Sequence, residues 1–453
     1  MLKYRRLHEI VLIELMIGLI NMIDIIKNVK ISIYEVININ EKNMITLLLI
    51  TFFFFLIFFN KFADDLISLE LELILGLGLI GLFVIILSKD LIIFYLGVEL
   101  YSLSVYLLLY KNDKNKAQIT ILYFLLGSIS SSLLLLGIAI LYNYSGSLNI
   151  EFILGNFEIL TNYHNDNNFY LFFGLAIFFF ALLFKLGAAP FQYWVIRVYT
   201  QMDIKILIYQ SIIPKIAYIL ILLNLFYYLN TTSTLFLLLL FFSSFLSLFL
   251  APVGAISHGV NKFKTILAYS SILHVGFLLL GLAANYSIFL ENKLLTVNLI
   301  EYLVIYGINT IHLFIGLYIL QSNKDNKLSL HKSLFFFFLL ISLFSFIGLP
   351  PFGGFYAKLN IFINCYNTNN SIFYLAIIFI LISTLVSSFL YLKFINFLYF
   401  SEFSENMINS KESINTTTLY SSYLFSFFSL FLFFYPFFLP FLSPFFDLFL
   451  PYF

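Results

Sequence analysis

Long apolar runs separated by short polar stretches repeat along nearly the whole of this 453-residue chain. A helix needs about 20 apolar residues to cross the hydrocarbon core of a bilayer. Thirteen segments meet or approach that length, so the pattern predicts an all-α integral membrane protein. The predicted spans are residues 9–26, 44–59, 71–88, 91–110, 118–142, 168–187, 204–229, 234–255, 265–283, 295–320, 333–363, 371–398 and 418–439.

Basic residues are concentrated in every second loop of the central part of the chain. Four of these loops contain ten Lys and Arg residues, whereas the four alternating loops contain only Lys293. Because Lys and Arg favour the cytoplasmic or matrix side of a membrane, we predict the N terminus on that side and the C terminus opposite. The basic loops are 111–117, 188–205, 256–264 and 321–332; the alternating loops are 143–168, 230–233, 284–293 and 364–370.

Two of the predicted spans are interrupted by glycine and proline. The sixth ends at a break, Gly187–Pro190, and the eleventh, five spans later, is broken at Gly348–Pro351. Paired broken helices are typical of transporters built from inverted repeats. We therefore predict a single membrane domain, 1–453, with two inverted five-helix repeats that each contain a broken helix. The expected ranges are 1–70 for N-terminal helices, 71–229 and 234–398 for the repeats, and 399–453 for a C-terminal helix and tail.

The composition agrees with a membrane protein and excludes several chemistries. Hydrophobic residues make up 62% of the chain and charged residues 10%, against about 25% charged in a soluble domain. The net charge of +1 gives no reason to expect a nucleic-acid partner. The single cysteine, Cys365, excludes a disulfide framework and an iron–sulfur cluster within this chain. The start of the chain has no small-residue cleavage site after its first apolar stretch, which predicts a retained first helix. An excess of Phe, Ile, Asn, Lys and Tyr is typical of AT-rich organelle DNA, and the start does not resemble a transit peptide, so we expect a mitochondrially encoded product.

A few ionisable residues interrupt the apolar spans. Lys185 follows thirteen uncharged residues and precedes the first break, and Lys358 lies just beyond the second. Lys215 lies ten residues into its span, about 15 Å deep at helical rise, and Glu99 lies in the middle of another span. Charged groups inside a membrane are expensive, and they usually line ion or proton pathways. A carboxylate that moves near a buried lysine changes the lysine's affinity for a proton. These residues therefore predict a proton relay, with structural ion pairs and snorkelling lysines as the alternative.

Other polar residues in the spans have two interpretations. His274, Glu301 and His312 could extend the relay or could be satisfied core residues. Lys393 is undecided, and Lys262 and Lys264 are interpreted as inner-loop charges. The glycines Gly76, Gly78 and Gly81 are predicted to be helix-packing positions.

Five motifs occur in the order found in the subunit 2 family of respiratory complex I, the proton-pumping NADH:ubiquinone oxidoreductase. The chain resembles that family over roughly residues 71–400, and the family is similar to Mrp-type cation/proton antiporters with inverted five-helix repeats. The lysine at 358 favours subunit 2, because the related subunit 4 usually has glutamate there. The motifs are Leu96–Ser104 (LGVELYSLS), Phe184–Trp194 (FKLGAAPFQYW), Pro214–Ala217 (PKIA), Phe263–Leu280 (FKTILAYSSILHVGFLLL) and Leu343–Lys358 (LFSFIGLPPFGGFYAK).

The resemblance implies a role for each candidate residue. Glu99 matches an essential glutamate, Lys185 and Lys358 match the lysines of the two broken helices, Lys215 matches the central lysine, and His274 matches a histidine of the central hydrophilic axis. It also implies that this chain holds no cofactor, and that flavin, iron–sulfur clusters and the quinone site belong to partner subunits. The expected partners are a neighbouring antiporter-like subunit, small membrane subunits, accessory subunits and phospholipids of the mitochondrial inner membrane.

The chain departs from the family pattern at three positions. Gln192 stands where histidine is common, Arg197 where an acidic residue is common, and Leu122 where bacterial members carry a lysine. Two alternatives to a pumping subunit of complex I therefore stay open. One is a free-standing cation/proton antiporter, and the other is a scaffold subunit of complex I that has lost pumping.

Overall fold

The computed structural model describes residues 67–110, 114–155, 168–228, 234–257, 263–288, 294–322, 339–350, 352–368 and 370–400. The described secondary structure is helical, apart from an isolated bridge between Asp90 and Asn149. The predicted spans 9–26, 44–59 and 418–439 lie outside the described residues.

The helix bounds follow the apolar runs closely. The first half contains α1 (Ile67–Leu87), α2 (Leu91–Leu109), α3 (Lys114–Ser145), α4 (Ile150–Gly155), α5 (Asn168–Leu186), α6 (Tyr193–Gln201) and α7 (Ile204–Tyr228). The second half contains α8 (Thr234–Ser257), α9 (Phe263–Ile288), α10 (Leu294–Ser322), α11 (339–347), α12 (Gly353–Asn367) and α13 (Ser371–Phe400). Within these ranges, six helices are long and apolar enough to cross a membrane, namely α2, α3, α7, α8, α9 and α13.

Two predicted loops contain helices. The loop 188–205, predicted as a basic connection between spans, contains the helix α6. The buried face of α6 (Trp194, Val195, Val198 and Tyr199) packs against α3 and α9. The loop 143–168 contains α4, which buries Ile150 and Ile153 and packs against α7. In both cases a short helix covers apolar surface of its neighbours. A hydropathy window of membrane length does not detect helices this short.

The centre of the bundle is α7. Its residues 206–222 are all buried, in agreement with a helix that is apolar on every side. By contrast, α13 turns large residues such as Leu375, Leu381 and Leu385 outward, where they are 51–71% exposed. Such an outward apolar face suits contact with lipid chains.

The two breaks have the same backbone device. The residues Gly187 and Gly348 have φ angles of 71° and 86°, in the left-handed region that favours glycine. Each glycine terminates a helix. At the first break, the Ala188 amide donates to the Leu183 carbonyl oxygen at 3.1 Å; at the second, the Gly348 amide donates to the Phe344 carbonyl oxygen at 3.0 Å. Each break therefore leaves helix-end carbonyls available beside a candidate lysine.

Close helix packing explains two of the three singled-out glycines. A Cβ on Gly81 would lie 2.7 Å from the Tyr101 nitrogen on α2, and a Cβ on Gly78 would lie 2.5 Å from the Ser104 Oγ. Small residues at such contacts let two membrane helices approach closely. Gly76 has no neighbour within 4 Å in the described part of the chain, so its predicted packing role was wrong.

We expect Gly354→Ala to reduce assembly of the protein in the membrane. A Cβ at this position would overlap the carbonyl oxygen of Ser345, and the Gly354 amide donates to the Ser345 Oγ at 3.0 Å. Overpacking of this kind typically costs about 1–3 kcal/mol. The measurement is the amount of detergent-extractable protein and its thermal unfolding midpoint. Gly76→Ala is the matched control, and equal yield and midpoint for both variants would contradict the expectation.

Candidate functional site

Lys215 lies at the junction of the two halves. Its side chain, near the middle of α7, is 4% exposed. The Nζ donates to the Ser271 carbonyl oxygen on α9 at 3.0 Å and to the Tyr306 hydroxyl on α10 at 3.1 Å. The Tyr306 hydroxyl in turn donates to the carbonyl oxygen of Ser211 at 3.3 Å. A residue of the first half is thus held by two helices of the second half.

A proline prepares the backbone next to Lys215. Pro214 has no N–H, so the Gln210 carbonyl oxygen loses the helical donor four residues further on. The hydroxyl of Tyr199, from α6, donates to that carbonyl at 3.2 Å. The broken helix of the first half therefore contacts α7 at the turn that presents Lys215.

Lys358 is bound to the break of the second half. It lies on α12 with 7% of its side chain exposed, and its Nζ donates to the carbonyl oxygens of Phe346 at 2.6 Å and Ile347 at 3.0 Å. These are the last carbonyls of α11, which have no helical donor. A cation is favourable at that position because the helix dipole makes the end of a helix negative. Gly348 permits the contact, since a Cβ there would lie 3.1 Å from the Lys358 Cδ.

His274 lies between the two lysines. It is 3% exposed, and its Nδ1 lies 2.7 Å from the hydroxyl of Tyr302. Its ring centroid is 4.9 Å from that of Tyr306 and 5.1 Å from that of Phe346. The histidine therefore neighbours the residue that contacts Lys215 and the residue that contacts Lys358.

Small cavities follow this line of residues. One cavity has a volume of about 10 Å³, close to what one water molecule needs. It is lined in part by His274, Tyr302, Asn309 and Lys358. A second of similar size lies beside Ser271 on the Lys215 side. Tyr306 and Phe346 line both cavities. The geometry therefore provides water-sized space, with a mainly apolar lining and a few polar groups, between Lys358 and the surroundings of Lys215.

Glu99 and Lys185 form a separate pair. The half-buried Glu99 accepts a hydrogen bond at 3.3 Å from the Ser102 hydroxyl through Oε2, while its buried Oε1 has no hydrogen-bond partner among the described residues. Lys185, in the last turn of α5, is also half-buried and is an electrostatic neighbour of Glu99. Glu99 is thus close enough to Lys185 for its charge to act on the amine.

The remaining candidates are more ordinary. Glu301 accepts a hydrogen bond at 3.2 Å from the Asn360 amide and so links α10 to α12. His312 is fully buried, and neither of its ring nitrogens has a partner within the described ranges. Lys393 is exposed on α13. Lys264 differs from the loop charge we predicted, because its Nζ donates to the Met202 carbonyl oxygen at 2.6 Å.

Two of the three positions that depart from the family pattern, Gln192 and Arg197, lie near the first break, and the third, Leu122, lies on α3. Gln192 is half-buried, and its Oε1 has no hydrogen-bond partner in the described part of the chain. Arg197 is exposed, and its guanidinium carbon lies 5.3 Å from the ring centroid of Tyr193. Neither side chain approaches Lys215 or Lys358 through a described hydrogen bond.

Sequence reasoning missed the neutral polar residues that connect the charged ones. The clearest are Tyr302, Tyr306 and Asn309 on α10 and Gln210 on α7. Their spacing on α10 was a usable signal, since positions 302, 306 and 309 share one face of a helix. For metal binding, the described residues bring together no group of three or more His, Cys, Asp and Glu side chains.

Comparison with known proteins identifies the family. The family model of the membrane region of NADH:quinone oxidoreductase and Mrp antiporters matches residues 88–387. NADH-quinone oxidoreductase subunit N of Pelagibacter ubique is 31% identical over 350 residues, 75% of this chain and 70% of that one. NADH-ubiquinone oxidoreductase chain 2 of Rhizopus oryzae is 31% identical over 369 residues, 76% and 68% of the two chains.

The fold is also found in a solved respiratory complex. A chain of respiratory complex I from Thermus thermophilus superposes with a TM-score of 0.64 at 20% identity, covering 87% of this chain and 84% of that one. The region matched by the family model, 88–387, contains Glu99, Lys185, Lys215, His274 and Lys358. The chain belongs to the family of NADH:quinone oxidoreductase and Mrp antiporter membrane subunits.

Proposed function

We propose that this chain is an antiporter-like subunit of a respiratory NADH:quinone oxidoreductase and moves protons through a relay of Glu99, Lys185, Lys215, His274 and Lys358. The observation that carries the proposal is the position of Lys215. Its amine is buried at the junction of the two halves and bonded to both flanking helices of the second half. Buried lysines in a membrane domain are expensive, and a transport path is the usual reason for their presence.

In the proposed relay, each lysine exchanges a proton with the next and returns to its starting charge. A proton that leaves the Lys215 amine crosses the cavities beside Tyr306 and His274 and arrives at a neutral Lys358 amine. Glu99 acts as the trigger at the other end of the relay. Its ionised carboxylate favours the protonated form of the neighbouring Lys185 amine, and protonation of the carboxylate removes that effect. The small cavities provide water-sized steps for the transfer, so no side chain must travel far.

The wider architecture belongs to the same proposal. The pairs α5–α6 and α11–α12, each joined at a glycine of positive φ, support two inverted repeats within a bundle of about thirteen spans. The oxidation of NADH and the reduction of quinone would occur in partner subunits that hold the flavin and the iron–sulfur clusters. Neighbouring membrane subunits, accessory subunits and phospholipids would cover the outward apolar faces. The biased composition supports the mitochondrial inner membrane as the location.

The test distinguishes this proposal from a free-standing antiporter. We expect the full chain, extracted from its native membrane in mild detergent, to migrate and purify with NADH-oxidising flavoprotein subunits. Sealed vesicles that contain the same assembly should take up protons when NADH is added. Purification of the chain without a redox partner, together with cation/proton exchange in liposomes, would favour the antiporter alternative.

A scaffold role makes a different prediction for the same vesicles. If the subunit only holds neighbours together, variants of its buried lysines that assemble normally would leave proton uptake unchanged. The variants Glu99→Gln and Lys215→Met therefore decide between pumping and scaffolding.

A further inference from the structure

We infer that Ser345 is a positioning residue that fixes one water molecule between His274 and Lys358. The inference rests on the proposed function, because this water would carry the proton between the two side chains. All three residues are buried and line the same cavity of about 10 Å³, which suits one water molecule. Buried polar groups need partners, so the bonding capacity that remains at each group indicates what the cavity binds.

The Ser345 hydroxyl has one unused bond, and that bond is a donor. Its Oγ accepts the Asn309 Nδ2 at 2.7 Å and the Gly354 backbone amide at 3.0 Å. A hydroxyl oxygen has two lone pairs, so only its hydrogen is left to bond, and no described residue accepts it. Ser342, one turn earlier, differs because its Oγ donates to the Leu339 carbonyl oxygen at 2.8 Å. The acceptor for the Ser345 hydrogen is therefore expected in the cavity.

His274 brings a second unused group to this cavity. One ring nitrogen, Nδ1, lies 2.7 Å from the hydroxyl of Tyr302. The other, Nε2, is buried and has no hydrogen-bond partner among the described residues. A buried polar atom without a partner is costly, whereas an ordered water bonds to about three such atoms. The ring thus favours a water molecule in the cavity beside it.

Lys358 contributes the third group. Its Nζ donates to the carbonyl oxygens of Phe346 at 2.6 Å and Ile347 at 3.0 Å. An ammonium group has three donors, so one donor stays available to the cavity when Lys358 is charged. When the amine is neutral, its two hydrogens can keep both carbonyl bonds, and a lone pair replaces the third hydrogen. The amine can therefore exchange a proton with the cavity while its side chain stays in place.

A water molecule joins these groups into one transfer step. A proton leaves the charged His274 ring and binds the water oxygen, while a hydrogen of that water passes to the neutral Lys358 amine. The ring becomes neutral, the amine becomes charged, and the water is restored without another reactant. The Ser345 hydroxyl occupies one lone pair of the water, which leaves the other lone pair for His274 and a hydrogen for Lys358.

Asn309 makes the contribution of Ser345 directional. Because the Asn309 amide occupies a lone pair of the Ser345 oxygen, the hydroxyl cannot accept a hydrogen from the water and can only donate. The Gly354 amide occupies the other lone pair and fixes the hydroxyl to the start of α12. Neither amide gives up or receives a proton in the transfer. Their role is to set the orientation of the hydroxyl, and through it the orientation of the water.

The functional test compares Ser345→Ala with Ser345→Thr in the intact respiratory complex in sealed vesicles. We expect Ser345→Ala to lower NADH-driven proton uptake about three- to tenfold, the rate equivalent of one hydrogen bond. Its ratio of rates in H₂O and D₂O should rise, because transfer through a loosely held water then limits turnover. Ser345→Thr keeps the hydroxyl and should recover most of the rate. Ser342→Ala removes a buried hydroxyl that bonds within its own helix, so this matched control should behave as wild type.

Electron cryo-microscopy of the same complex tests the water site directly. We expect density for one water within hydrogen-bond distance of the Ser345 Oγ and the His274 Nε2 in the wild type. The same density should be weaker or displaced in Ser345→Ala. A wild-type cavity without this density, in a map that shows ordered water elsewhere in the membrane domain, would overturn the inference.

The outcomes separate this inference from the proposed function. Normal uptake and an unchanged isotope ratio in Ser345→Ala, beside a defective Lys215→Met variant, would overturn the positioning role and leave the proposed function intact. Normal uptake in both variants would overturn both. If Ser345→Ala fails to assemble, Asn309→Leu decides, because it frees a lone pair of the Ser345 oxygen while the hydroxyl stays. A raised isotope ratio in that variant supports the inference, and a wild-type ratio overturns it.

Discussion

Replacement of Lys215 by methionine is expected to abolish most NADH-driven proton uptake while the respiratory complex still assembles. Methionine keeps the length and the apolar stem of the side chain but removes the donor that binds the Ser271 carbonyl and the Tyr306 hydroxyl. A lost proton-transfer group typically lowers a rate by about 100-fold or more, and bypass by water would still leave a loss of about tenfold. Folding should be preserved, because methionine fills a similar volume and the Tyr306 hydroxyl keeps its hydrogen bond to the Ser211 carbonyl oxygen.

The measurement pairs two rates in the same sealed vesicles, NADH oxidation and proton uptake, with the amount of assembled complex on a native gel. Lys393→Met is the matched control, because this lysine is exposed on α13. Intact uptake in an assembled Lys215→Met complex would show that the central lysine is structural. Loss of the complex itself would instead show that the two contacts of Lys215 hold the halves together.

Replacement of Glu99 by glutamine is expected to give the second-largest defect. Glutamine preserves the shape of the side chain and can still accept the Ser102 hydrogen bond, but it cannot ionise. Lys185 would lose its electrostatic partner permanently, so the trigger could not change state. We expect proton uptake to fall about tenfold or more, by the same reasoning on proton-transfer groups.

The comparison with two further variants makes the Glu99 result specific. Glu99→Asp keeps the charge and should retain more uptake than Glu99→Gln. Glu151→Gln, on α4 within the loop 143–168, should be indistinguishable from wild type. Equal activity of Glu99→Gln and wild type at equal assembly would remove Glu99 from the relay.

The spans and the charged residues were predictable because both leave strong, local marks in the sequence. Apolar runs long enough to cross a membrane gave helix bounds such as those of α5 and α9 to within a few residues. Lys185, Lys215 and Lys358 are conspicuous because charges are rare in such runs. Short helices such as α4 and α6 were not predictable by the same means, since each is less than half the length of a span.

The connections between the charged residues were not predictable from hydropathy. Gln210 and Tyr306 lie in spans that contain many other polar and aromatic residues, and a tyrosine in a membrane helix is more often interfacial. Their importance comes from tertiary contacts. Pro214 frees the Gln210 carbonyl oxygen, to which Tyr199 donates from another helix, and Tyr306 contacts Lys215, 91 residues away in sequence. Contacts over such separations depend on how the helices are arranged and not on local pattern.

The attachment of Lys358 to the end of α11 has a mechanical consequence. A charged donor binds a carbonyl about twice as strongly as a neutral one, so loss of the proton from Lys358 would loosen both of its bonds at the same moment. Those bonds hold the last turn of α11, whose carbonyl oxygens have no helical donor, next to the positive-φ residue Gly348. The end of α11 would then be held firmly while the Lys358 amine is protonated, and held weakly after the amine has released its proton.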